Sequence, residues 1–453
     1  MVGNAIDAHG QVRHLPGQGI HAFDDAHDAV RHDHVFQCCP NYRHDDQQCQ
    51  RGDGGGSWCS RLDSDLAGRR RVGSMAVQNL NAERLAQARR LVVKIGSTLF
   101  VDQKTGNLQR AWLQALCADV AAMRASGQAA GSVPSGATAL GAQQLGVDPV
   151  RARLEESQAA AAVGQIQLAH AYQEILGAHG LAAAQVLLTL DDSESRRRYL
   201  NAANTLFTLL KRGAVPVVNE NDTVATQEIR YGDNARLAAR VAQMVSADCL
   251  VLLSDVDGLY TADPNVDPQA KHISELTELR EEHWEMAGGP GSDHGSGGMR
   301  TKLDAARIAM GAGCRMLITS GHTERPIKAL QAGAVATWFM PGSTPRAARK
   351  QWIAGTLQPR GTVTVDDGAK RALASGRSLL PAGVTDVTGE FERGEAVRVR
   401  DRAGVELGRG LIAYPSDEAR AIAGRRSDAI EEALGYRGRD ELLHRDALAL
   451  MST

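Results

Sequence analysis

From Met75 onward the chain alternates short β-branched apolar runs with longer amphipathic segments. A parallel sheet covered by helices on both faces satisfies that alternation, and few other folds do. The strand-like runs are 91–95, 182–190, 214–218, 249–254 and 315–319. Helix-like runs fill the gaps at 109–125, 154–176, 194–211, 235–245 and 299–310. Stretches such as Leu91-Val-Val93 and Cys249-Leu-Val-Leu-Leu253 show no polar alternation, as expected of strands buried on both faces. In such a sheet, ligands sit beyond the carboxyl ends of the strands.

The pattern changes twice. Near residue 358, Gly361-Thr-Val-Thr-Val-Asp-Asp-Gly368, Ala396-Val-Arg-Val-Arg400 and Gly410-Leu-Ile-Ala-Tyr414 read as short strands bounded by glycine, suggesting a small β-rich domain over 358–453. Residues 1–74 contain no lysine and no glutamate, yet hold seven of the 14 histidines. Cys38, Cys39, His44 and Cys49 could ligate zinc, but no Cys-x-x-Cys pair supports it, so no metal site is expected. This segment reads as a disordered extension or, the better fit, as translated upstream sequence before a start at Met75. The central domain then spans 75–350.

A formal charge of −2 gives no overall pull toward nucleic acid or acidic lipid. No apolar run of 18 residues occurs, and the amino terminus lacks the charged and apolar regions of a secretory signal. Cys117, Cys249 and Cys314 lie in apolar sequence, where reduced thiols are usual, so a cytoplasmic location is expected.

Two lysines stand out. Lys94 ends the run Leu91-Val-Val-Lys94 and is followed by Ile95-Gly-Ser97, a turn whose backbone amides can approach an anion. Lys302 closes Gly295-Ser-Gly-Gly-Met-Arg-Thr-Lys302, a glycine-rich loop entering a helix, so bare amides and a positive helix end lie beside a cation. Neither has the spacing of a P-loop. Between them, Asn219-Glu-Asn-Asp222 and Gly232-Asp-Asn234 are polar loops after strands. Such amides and carboxylates suit turn chemistry, or a grip on the ammonium and carboxylate of an amino acid. Ser135-Gly136 supplies a further hydroxyl and bare amide. Ser254-Asp255 follows the run 249–253, and a β-turn at Asp257-Gly258 accounts for part of that segment.

In order and wording, Val-Val-Lys94-Ile-Gly-Ser, Ser135-Gly-Ala, Ala162-Val-Gly-Gln165, Tyr199-Leu-Asn-Ala202, Val218-Asn-Glu-Asn-Asp222, Gly232-Asp-Asn234, Ser254-Asp255, Gly258-Leu-Tyr-Thr-Ala-Asp-Pro264 and Gly297-Gly-Met-Arg-Thr-Lys302 resemble the glutamate 5-kinases of the amino-acid kinase family. The tail resembles the PUA domain many of them carry. The resemblance implies a three-layer αβα sandwich with a mostly parallel central sheet, plus a PUA-like domain. It implies ATP-dependent phosphorylation of the side-chain carboxylate of L-glutamate with Mg²⁺, the first step toward proline. By matching motif positions, Ser135, Asp222 and Asn234 would hold glutamate. Lys94, Ser254, Asp255, Ser296, Gly297, Gly298, Met299, Arg300, Thr301 and Lys302 would hold ATP, with Lys94 and Lys302 flanking the transferred phosphoryl group. Homo-oligomerisation and feedback inhibition by proline are also implied. N-acetylglutamate kinases and aspartokinases would share the lysines, but Asn219 to Asp222 and the PUA-like tail argue against both.

Three departures point to a weakened or non-catalytic regulatory homologue as the alternative. Ala235 stands where the family usually has a carboxylate, and loss of that group would slow a misaligned transfer by about a hundredfold or more. Ala203 stands where an arginine is usual. Gln128-Ala-Ala-Gly-Ser-Val-Pro134 replaces an apolar strand, so a weakened sheet or a displaced Ser135 is expected. In the tail, Arg398, Arg400, Arg402, Arg425 and Arg426 are interspersed with acids, which favours a solvated surface over an RNA-binding one.

Overall fold

The computed structural model describes residues 5–6, 12–13, 80–102, 105–149, 151–224, 234–287, 298–355 and 358–451. The chain divides into Met1–Arg61 and Leu62–Thr453. Of the first unit, the antiparallel pair Ala5–Ile6 and Val12–Arg13 is described. Cys38, Cys39, His44, Cys49 and the expected start at Met75 lie outside the described residues.

The main sheet contains β1 (Arg90–Ile95), β2 (Ala129–Pro134), β3 (Ala183–Leu188), β4 (Val215–Glu220), β5 (Cys249–Ser254), β6 (Glu275–Leu276), β7 (Arg315–Ser320) and β8 (Ala336–Phe339). Their order is β6-β8-β7-β5-β1-β2-β4-β3, and every neighbouring pair is parallel except β7 with β8. The helices that cover it are α1 (Arg110–Ala125), α2 (Ala137–Leu145), α3 (Leu154–Gly177), α4 (Arg196–Lys211), α5 (Asn234–Met244), α6 (Met299–Gly311) and α7 (Pro326–Gln331), while α8 (Pro345–Gly355) packs on the second sheet.

Side chains alternate across a strand, so each strand feeds two cores. Leu91, Val93 and Ile95 of β1 join Val251 and Leu253 of β5 in a cluster with Leu116, Leu168 and Ile327, from α1, α3 and α7. Val92 joins Leu250 and Leu252 in a second cluster with Leu206, Ala239 and Leu303, from α4, α5 and α6. Helices thus lie on both faces, and the three-layer αβα sandwich follows from sequence that is apolar at both parities. Lys94 shares the parity of Val92 and therefore belongs to the face covered by α5 and α6.

The second sheet comprises β9 (Gly361–Val365), β10 (Val384–Gly389), β11 (Ala396–Asp401), β12 (Glu406–Leu411) and β13 (Leu448–Leu450), ordered β10-β9-β11-β12-β13. Its core gathers Val363, Val397, Val399, Tyr414 and Leu443. The strand expected at 410–414 is instead β12, with Ile412 to Tyr414 leaving the sheet. Ile353 of α8 is buried with Ala396, Leu411 and Ala449, and Leu200 of α4 packs on them.

The strand expected to be weak forms all the same. All six residues of β2 pair with β1, and the Ser132 hydroxyl lies 2.7 Å from the Tyr172 hydroxyl. On its other side the ladder shrinks to one pair, Ser132 with Val217. Proline at 134 and 216 removes ladder donors there, which confines the weakness to the β2/β4 seam. Strands β6 and β8 carry no long apolar run, and sequence reasoning missed both. Among the described residues, no helix is long and apolar enough to cross a membrane.

Candidate functional site

Four adjacent strands, β5, β1, β2 and β4, deliver the predicted side chains to one end of the sheet, their carboxyl ends. At the end of β5, buried Ser254 donates its hydroxyl to Asp255 Oδ1 at 2.7 Å. Lys302, in the first turn of α6, has a side chain 9% exposed with its Nζ 3.9 Å from the same oxygen. Burial pushes the Lys302 ammonium below the ordinary lysine range, and the Asp255 charge counters only part of that. For Asp255, burial pushes the carboxyl up, but the Ser254 hydroxyl and Lys302 outweigh it and hold it below the usual range. At the entry to α6, Thr301 donates its hydroxyl to Gly298 O at 2.9 Å. Gly298 precedes that 13-residue helix, and Met299 and Arg300 begin it, with Arg300 exposed. Ser296 and Gly297 lie outside the described residues.

Lys94 is the penultimate residue of β1, and the Gly96 amide just beyond the strand donates to Leu253 O of β5 at 3.1 Å. This bond ties the first loop to the strand carrying Ser254.

On the other flank of Lys94, the Ser135 amide donates to Ile95 O at 3.1 Å, fastening the β2 loop to β1. Gly136 follows with φ +101°, a conformation that only glycine adopts without strain, and a Cβ there would lie 2.9 Å from Val101. Asn234 opens α5 and donates its amide to Pro134 O, Ser135 Oγ and Asn219 Oδ1 at 3.1, 3.0 and 3.1 Å. Its Oδ1 is buried without a hydrogen-bond partner among the described residues. Ser135 is thereby held against Asn234. Asn219 Oδ1 also accepts from the Glu220 amide at 2.9 Å. Asp222 begins the short turn Asp222–Val224, where burial pushes its carboxyl up to about 6 against the pull of a hydrogen bond from Gln165.

Sequence reasoning gave Gln165 and Asn219 no role of their own. Both are buried polar residues inside matching motifs, and a buried amide in otherwise apolar helix or strand was the available signal. Ala235 is 5% exposed beside Asn234, and Ala203 packs in the core shared by α4 and α5.

The amino acid kinase family matches residues 89–320, and the PUA domain matches 361–434. A glutamate 5-kinase from Paramagnetospirillum magneticum is 63% identical over 366 residues, 81% of this chain and 99% of that protein. The chain belongs to the glutamate 5-kinase family. A second member, from Rhodospirillum rubrum, is 58% identical over 80% of this chain and 96% of its own length. A third, from Rhizobium rhizogenes, is 56% identical over 82% of this chain and 95% of its own. Among solved structures, a carbamate kinase from Giardia lamblia bound to AMP-PNP is similar at TM-score 0.40 and 15% identity, over 56% of this chain and 99% of that one. Family membership accounts for the two-part architecture, a mostly parallel kinase sheet followed by a small β-rich sheet.

Proposed function

We infer that this chain transfers the γ-phosphoryl group of ATP to the side-chain carboxylate of L-glutamate, forming L-glutamyl 5-phosphate and ADP on the route to proline. The observation that carries the reading is the strand order at the site. Lys94 on β1 lies between the β5 loop, with Ser254, Asp255 and nearby Lys302, and the loops of β2 and β4, with Ser135, Asn219 and Asp222. One flank offers cations and a helix amino terminus to phosphates. The other offers a carboxylate, amides and a hydroxyl to an amino acid.

In this reading Ser254, Asp255 and the 296–302 segment hold ATP, with Gly298, Met299 and Thr301 presenting the helix end. Asp222 receives the substrate ammonium, while Ser135 and Asn234 orient its carboxylates. The substrate oxygen attacks the γ-phosphorus as the bond to ADP breaks. A carboxylate is already a competent nucleophile, so no general base is needed. Lys94 and Lys302 offset the charge that spreads over the equatorial oxygens of the transferred group. Among the described residues no group of three acidic, imidazole or thiol side chains could hold a metal by itself. Mg²⁺ is commonly held by nucleotide phosphates plus one or two carboxylates, and Asp255 beside Lys302 would be such a carboxylate. Mg²⁺ would neutralise phosphate charge there.

Proline inhibition, homo-oligomerisation and the division into 75–350 and 358–453 belong to the same proposal. Arg398 and Arg409 both pair with Glu406, which supports a solvated tail surface over an RNA-binding one. Substrate choice tests the reading: ADP release should be supported by L-glutamate and not by aspartate or N-acetylglutamate. Equal turnover with the three would overturn it.

A further inference from the structure

Gln165 is a buried amide in the middle of α3 that the reaction described above leaves unused. The helix that carries it packs against the turn Asp222–Val224, and the amide pulls the Asp222 carboxyl down against the effect of burial. Gln165 Nε2 also lies 3.5 Å from Glu220 O, and its Oε1 accepts from Gln185 Nε2 at 3.5 Å. Both ends of the amide are engaged, and the two ends are not interchangeable. Reversing it would set its oxygen against a carbonyl and a carboxylate, so the donor end is fixed toward Asp222.

Two glycines bring the amide there. A Cβ on Gly164 would lie 1.7 Å from Ala137 O, and one on Gly141 would lie 1.8 Å from Ala160 O. Helices α2 and α3 therefore touch backbone to backbone, immediately next to Gln165. Helix α2 begins at the Ser135 loop, and α3 packs against the turn 222–224. The same crossing thus sets both sides of the amino-acid flank.

We propose that Gln165 is a positioning residue, whose amide holds the Asp222 carboxylate in the orientation that receives the ammonium group of the amino-acid substrate. The proposal rests on the functional reading above. Gln165 does not itself touch the reacting atoms. It aligns the group that does the binding, so its loss should appear in substrate affinity and leave the nucleotide flank alone.

The test is Gln165→Met, which conserves volume and chain shape while removing the amide. In the full-length protein, the KM for glutamate should rise about tenfold or more, the scale of losing a hydrogen bond to a charged group. The KM for ATP should stay within about twofold of wild type, since the change is confined to the other flank. A merely structural role would move both constants together. Combining Gln165→Met with Asp222→Asn gives a second readout. If Gln165 acts through Asp222, the double variant should bind glutamate about as weakly as Asp222→Asn alone. Additive losses, or an unchanged glutamate KM in Gln165→Met, would overturn the proposal. If Gln165→Met does not fold, Gln165→Glu serves: it sets a second carboxylate against Asp222 and should weaken glutamate binding selectively, while unchanged binding would overturn the idea. Calorimetric titration with glutamate reads affinity without turnover. Wild-type protein that binds glutamate but does not release ADP would sink the functional reading while the positioning role is still measured. Wild-type protein that binds no glutamate would overturn both.

Discussion

A carboxyl group held at about 6 titrates inside the range where an enzyme can be assayed. If the Asp222 carboxylate receives the ammonium group of glutamate, its protonation weakens substrate binding. The KM for glutamate should therefore be flat above pH 7 and rise as pH falls through about 6, approaching tenfold per unit below it. Asp222→Asn should raise KM throughout and remove that limb; a limb that survives the substitution would assign it elsewhere. The same shift acts on stability with the opposite sign. A carboxyl raised above its unfolded value of 3.8 costs the folded state most above pH 6, and the cost fades as pH falls toward 3.8. Acid loss of glutamate affinity would thus not be unfolding driven by this group. At the neighbouring position, Ala235→Asp restores a carboxylate next to Asn234, at a site only 5% exposed. The kcat should rise, because the active-site cations gain an aligning partner, while the melting temperature falls, because a charge is buried. An unchanged kcat would mean that transfer does not need this carboxylate.

Glycines decide the outcome at the level of elements. Gly164→Ala or Gly141→Ala places a methyl group inside a neighbouring carbonyl, so α2 and α3 must separate, at a cost of about 1–3 kcal/mol or more. Thermal unfolding should show a marked drop for either, and none for Gly177→Ala, where no atom lies within 4 Å. Gly131 in β2 behaves differently. A Cβ there meets Pro216 O at 3.6 Å, an ordinary contact, so Gly131→Ala should stabilise by about 0.4–1 kcal/mol by restricting the unfolded chain. A lower melting temperature would mean that the β2/β4 seam is tighter than its single ladder pair suggests.

These elements also show where sequence was legible. Strand β5 was bounded correctly because Cys249 to Leu253 is apolar at both parities and ends in a polar loop. Helices α3 and α6 were placed to within a residue by their apolar period. Strand β2 is expected to be weak because glycine and proline speak against it; pairing along all of β1 overrides that local preference on one side, and the single pair with β4 keeps it on the other. Strand β8, antiparallel to β7 and parallel to β6, is four residues long, a signal too short to register. At the site, the lysines and the Asn219 to Asp222 loop were visible as motifs. Gln165 was not, because its role depends on a helix crossing between residues distant in sequence.

At the scale of the molecule, the two sheets share a seam. Arg196 Nε donates to Gly394 O at 2.6 Å, and its guanidinium lies 5.6 Å from the Trp352 ring centre. Gly394, at φ +90°, leaves room for Leu200, which would lie 2.1 Å from a Cβ. Ending the chain after residue 355 would uncover Ile353, now 0% exposed, together with Leu200. The truncated protein should aggregate more readily in size-exclusion chromatography, as expected of a newly exposed apolar patch. A stable, monodisperse truncated protein would mean that the seam contributes little.

The most direct test of the whole reading is to trap the acyl phosphate. Purified protein incubated with ATP, Mg²⁺, L-glutamate and hydroxylamine should form γ-glutamyl hydroxamate at a rate that requires both substrates and falls steeply in Lys94→Ala and Lys302→Ala. Protein that binds glutamate and ATP yet yields no hydroxamate would contradict the assignment and mark the chain as a regulatory descendant of the family.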